Sequence, residues 1–322
     1  PAFPLFISIV MIVVGRMYSM LSDKLLPIPR AALLVTLTLG VSLFATNALA
    51  QEAKKQDKDG EKVLRVCQDP NNMPMSRQDE SGYENKIAAL FAKKLGWKLE
   101  HTWYPQRMGF TRATLTAKDP KTDRYKCDVV TGVSPGFERG IPTKRYMTST
   151  YAIVYVKGKG LDGIKKPEDI MSLDQATLSK IKIGAFSGTP PVNWLLSHSL
   201  LERMVPYQLQ TGDPEQYPGQ IIEHDLANGK IDIAIAWGPI AGYYAKHGDG
   251  GVPMTVVPFD TRIGHYQFAF NIAMGVRHDS KKLRDKLNAL IDSSGPEIAA
   301  ILKEYDVPTA TAPVDRIEDD DD

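Results

Sequence analysis

The chain has 322 residues, with 39 Lys and Arg against 38 Asp and Glu, 43% hydrophobic and 24% charged positions. That mix excludes collagen, coiled coil and wholesale disorder. A formal net charge of +1, with Lys and Arg spread among acids, argues against a nucleic-acid partner.

Residues 31 to 50, AALLVTLTLGVSLFATNALA, follow Lys24 and Arg30 and end in Ala48-Leu49-Ala50. Charged, apolar and small-residue regions in that order predict a secretory signal cleaved after Ala50, with no stable membrane anchor left behind. The earlier apolar run, Pro4 to Val14, is too short to span a bilayer. Because the chain starts with Pro, translation is expected to begin at Met17 or Met20. Export to an oxidising periplasm favours a Cys67–Cys127 disulfide, from predicted strand positions that neighbouring strands could bring together. The alternative is two small buried apolar residues.

From Val63 short apolar runs alternate with helical periodicity, the pattern of βα units around a mostly parallel sheet. VLRVC is the first strand. Ile87, Leu90, Phe91 and Leu95 lie on one helical face that Gly96 terminates. WKLEHTW and DVVTGV are the next strands, and TYAIVYVKG is extended. A second set opens at KIKIGAF. Thr189 is placed as N-cap and Pro190 as first residue of the helix that follows. After PYQLQ come a helix near QIIEHDLANG, the strand KIDIAIAW, the extended YQFAFNIAMGV and the helix KKLRDKLNALI. DRIEDDDD reads as a solvated acidic tail. Two α/β sets separated by extended segments predict two lobes with a ligand cleft beyond the carboxyl ends of the strands.

DVVTGVSPGFERGIPTKRYMTSTYAIVYV, with GYENKIAALFAKKLG before it and IGAFSGT and KIDIAIAWGPIAGYY after it, resembles the family 3 extracellular solute-binding proteins in content and order. The resemblance covers nearly all of 62 to 308. It implies a type II periplasmic binding protein fold, two parallel-core sheets flanked by helices and joined by two hinge strands. Residues 1–50 are then extension and signal, 51–61 a polar linker, 62–152 with 271–310 lobe one, 153–270 lobe two and 311–322 the tail.

In that family an Arg after the third strand grips the ligand carboxylate, and Arg139 matches its spacing. Ser187, Gly188 and Thr189 match a second carboxylate contact at a helix N-terminus. The Asp that neutralises a ligand ammonium is replaced by Trp237, which disfavours ordinary amino-acid binding. Pro135 and Gly136, after Ser134, replace a Thr-rich stretch. Asn71, Asn72 and Met73, running into Pro74 and Met75, replace a covering aromatic.

These departures, with TWYPQRMGFTRATL, FSGTPPVNW and AWGPIAGYYAK, are similar to the quinoprotein-dehydrogenase-associated members of the fold, the XoxJ/MoxJ type. That resemblance implies an accessory protein of methanol oxidation whose partner is a periplasmic methanol dehydrogenase. Trp103 and Arg107 on one side, and Trp237, Pro239, Tyr243 and Tyr244 on the other, are expected to edge an apolar cleft for a partner segment. A transporter receptor for a small carboxylate or aromatic acid is the alternative. No nucleophile set, metal-ligand spacing or cofactor loop is recognisable, so neither catalysis nor a bound cofactor is expected.

Overall fold

The computed structural model describes residues 62–310, except 107, 135, 210–212, 214 and 249. The expected signal, linker and acidic tail lie outside these residues. No helix among the described residues is long and apolar enough to cross a membrane.

Strand β1 (Val63–Gln68) buries Leu64 and Val66 against helix α1 (Tyr83–Leu95). Between them, β2 (Asn71–Asn72) and β3 (Ser76–Arg77) form a short hairpin. Helix α1 presents Tyr83, Ile87 and Phe91, all fully buried, at a spacing of four. Each such side chain contributes roughly 1.5–3 kcal/mol relative to exposure. Gly96, at φ 65°, ends the helix as its sequence predicts.

β4 (Lys98–Trp103) and β5 (Val129–Val133) pair in parallel with β1 on either side. A four-residue helix, α2 (Phe110–Ala113), lies between them in sequence. β6 (Ile141–Val156) is longer than the apolar run suggests. It takes in Thr143, Thr148, Ser149 and Thr150, all buried, whose hydroxyls find partners such as the Phe259 and Pro308 carbonyls and Asn271.

The second set contains α3 (Gln175–Leu178), β7 (Ile183–Phe186), α4 (Pro190–Ser197), β8 (Met204–Tyr207), β9 (Ile233–Trp237) and α5 (Gly238–His247). A π-helical turn, Ile221–Leu226, stands where QIIEHDL predicts a helix. β10 (Met254–Pro258) and the hairpin of β11 (Arg262–Ile263) and β12 (Tyr266–Gln267) precede β13 (Ala269–Val276). Helices α6 (Lys281–Ser293) and α7 (Gly295–Glu304) follow.

The strands form one nine-stranded sheet in the order β4-β1-β5-β13-β6-β9-β7-β8, with β10 on β6. Its two wings are parallel, β4-β1-β5 and β9-β7-β8, and the strands between them run antiparallel. The wings are joined through hydrogen bonds because the first half of β6 pairs with β13 and its second half with β9 and β10. The carboxyl ends of both parallel wings therefore meet near the middle of β6.

Cys67 and Cys127 form a disulfide, both fully buried, with Cα atoms 5.6 Å apart. Cys127 sits ahead of β5 rather than within a strand, where the adjoining Asp128 is fixed by Arg65 and Arg277, each at 2.9 Å.

Candidate functional site

A cavity of about 240 Å³ lies where the strand ends converge. Asp69, Asn71 and Asn72 follow β1, Gly132 belongs to β5, Phe186 closes β7 and Trp237 closes β9. Met147 and Tyr151 of β6, Ile272 of β13, and Thr189 and Leu209 also line it. The lining is apolar and aromatic with amides and two acids, Asp69 and Glu84. Among the described lining residues there is no Lys, Arg or His.

Glu84 is placed by the start of α1. Asn85 accepts the Gly82 and Arg77 backbone N–H groups at 2.9 and 3.0 Å, and the Glu84 N–H donates to the Met75 carbonyl at 2.8 Å. These bonds fix the first helical turn against the β2–β3 hairpin, so the Glu84 side chain points inward and is only 4% exposed. Its Oε2 accepts from Thr131 at 2.5 Å and its Oε1 from Tyr146 at 2.6 Å. Gly132, at φ +71°, leaves space for the carboxylate: a Cβ there would stand 3.1 Å from Oε1. Burial pushes the Glu84 carboxyl above its ordinary range, and the two hydroxyls pull it part of the way back.

Asp69 accepts the Asn71 N–H at 2.8 Å and the Gln106 N–H. Asn72 donates to Gln106 Oε1 at 3.0 Å, so the loop after β4 is tied to the segment after β1. Trp237 packs edge-on to Tyr151, with ring centroids 5.3 Å apart, and lies 6.1 Å from Phe270. Burial pushes the Tyr151 phenol up to about 12, so it stays a neutral hydroxyl.

Of the residues expected in the cleft, Asn71, Asn72, Thr189 and Trp237 line the cavity together. Thr189 is the N-cap of α4 by position, yet its hydroxyl donates to the Phe186 carbonyl at 2.6 Å and caps nothing. The Ser187 N–H is spent on the Tyr207 carbonyl at 2.9 Å, and Ser187 and Gly188 are exposed outside the lining. Arg139 and Ser134 are also exposed and off the cavity, because the chain after β5 turns out to solvent before β6 begins. Trp103 is half-buried and stacks on His101 at 4.7 Å, on the same face of edge strand β4. Met73 is buried in the core and Pro239 in the first turn of α5. Arg107 lies outside the described residues.

Sequence reasoning did not single out Asp69, Glu84 or Gln106. The signal for Asp69 was its place directly after a parallel strand. For Glu84 it was an acid in the first turn of a helix, beside Tyr83.

The fold is that of the type II periplasmic binding proteins. No family model matches the chain. Protein MoxJ of Methylorubrum extorquens is 30% identical over 298 residues, covering 86% of this chain and 95% of its own. The periplasmic binding protein XoxJ from Methylobacterium extorquens AM1 is 35% identical with a TM-score of 0.61, covering 78% of this chain and 100% of the other. MxaJ from Methlophaga aminisulfidivorans MPT is 25% identical, also at a TM-score of 0.61, covering 77% and 100%. The chain belongs to the MoxJ family.

Proposed function

We propose that the chain is a periplasmic, non-enzymatic accessory protein of methanol oxidation, which assists maturation or activation of a pyrroloquinoline-quinone-dependent methanol dehydrogenase. Its two lobes, 62–152 with 271–310 and 153–270, hinge about β6 and β13 and hold a segment of the dehydrogenase between them. Family membership supports the link to methanol oxidation.

The observation that carries the reading is the cavity lining. An amino acid or carboxylate delivered to a transporter needs a base or a free N–H cluster for its carboxylate. The described lining has no base, and the Thr189 hydroxyl and Ser187 N–H are already engaged. Among the described residues, the carboxylate contacts that the resemblance implies are therefore not on offer to a small carboxylate or the quinone acid. Capture of apo-dehydrogenase by the immobilised protein is the test. Co-elution is expected, and no association with or without the quinone overturns the reading.

A further inference from the structure

We propose that the cavity receives a lysine or arginine side chain, the basic anchor of the segment captured in the cleft. This rests on the capture reading and names the chemistry of what is captured.

The argument starts at Glu84. Its carboxylate is 4% exposed, faces the cavity and accepts from two neutral hydroxyls, while forming no ion pair among the described residues. A buried carboxylate without a counter-ion is an unsatisfied charge, and the open space beside it is where a counter-ion fits. Carboxylates offer about four acceptor positions. Glu84 and Asp69 each have two engaged, which leaves positions for ammonium or guanidinium N–H donors. Trp237, Tyr151 and Phe186 add aromatic rings whose faces attract cations.

Size and charge select the source of the cation. At about 240 Å³ the cavity lies below the ~300–1,000 Å³ of sites for drug-sized ligands and suits one long side chain. A free amino acid brings the same ammonium but also a carboxylate, for which the described lining has no base. A side chain within a polypeptide brings none. Leu209, 49% exposed, lines the cavity, and Met108, 92% exposed, lies two residues beyond lining residue Gln106. Apolar residues beside the basic one would find these two.

Calorimetric titration of the full chain tests the proposal, with Nα-acetyl-lysine N-methylamide and its arginine counterpart as probes. The uncharged norleucine analogue and free lysine are the controls. The probes are expected to saturate and to bind at least tenfold more tightly than either control, and Glu84→Gln or Asp69→Asn to weaken them at least tenfold. Equal binding of the norleucine analogue, no saturable binding of either probe, or affinity untouched by both substitutions overturns it. Dehydrogenase capture with failed probe titrations sinks the anchor and leaves the capture reading standing. Probe binding without dehydrogenase capture does the reverse.

Discussion

The phenolic hydroxyl of Tyr146 donates to Glu84 Oε1 at 2.6 Å in a fully buried setting, tying β6 to the first turn of α1. Because burial raises the Glu84 carboxyl, the folded protein holds that proton more tightly than the unfolded chain. The stability this contributes is full below the unfolded value of 4.5 and is lost as pH rises through the folded value. Removing one hydroxyl raises the folded value further. Tyr146→Phe is therefore expected to lower stability at neutral pH by about 1–3 kcal/mol, the range for a buried group losing its partner. Glu84→Gln should gain on the wild type as pH rises from acid to neutral. Urea midpoints across that range measure both, and a difference that does not change with pH would sink the assignment.

Trp237 stands at the carboxyl end of β9, where the family resemblance implies an ammonium-binding Asp. Trp237→Asp restores that acid and removes ring contacts with Tyr151 and Phe270. Free glycine, glutamate and arginine are nevertheless expected not to bind, because the carboxylate still meets no base among the described lining residues. Thermal shift reads this directly, since any tight ligand raises the melting temperature by mass action. A saturable rise with a free amino acid would show that the missing charge alone had closed the site to zwitterions.

The strands and α1 were legible because apolar alternation, helical spacing and Gly96 all agree with the final packing. The first half of β6 was not, since PTKRYMTS looks polar and becomes a strand only through β13 beside it and hydroxyl partners elsewhere in the chain. β10 was missed for a similar reason, as MTVVP is short and takes its place from β6. In the site, all the residues came from motif positions, and those that line the cavity, Asn71, Asn72, Thr189 and Trp237, stand next to a strand end or helix start. Those on connecting turns do not line it. Arg139 keeps the spacing but sits on a turn that faces solvent, and spacing alone does not encode which way a turn points.

Arg139 is exposed and off the cavity, so its loss tests how far motif spacing can be trusted. Arg139→Ala is expected to change stability by no more than about 0.5 kcal/mol, as for surface sites without special contacts. It should also leave the affinity for Nα-acetyl-lysine N-methylamide unchanged. A tenfold loss of that affinity would place the guanidinium in the working site.

The Cys67–Cys127 bond closes a 60-residue separation, for which the loop-entropy relation gives about 4 kcal/mol. The bond also packs with Phe110, Leu115 and Val130 in a small core of its own. The Cys67→Ala/Cys127→Ala double variant is expected to lose about 2–5 kcal/mol, measured by urea denaturation. The cavity is a separate matter. Asp69 follows β1, and the backbone ladder that pairs Val66 with Val129 and Cys67 with Val130 fixes that strand end independently of the sulfur atoms. Below its lowered melting temperature the variant should therefore bind Nα-acetyl-lysine N-methylamide as the wild type does. Loss of probe binding in a folded variant would mean that the disulfide, and not the ladder, holds Asp69 in place.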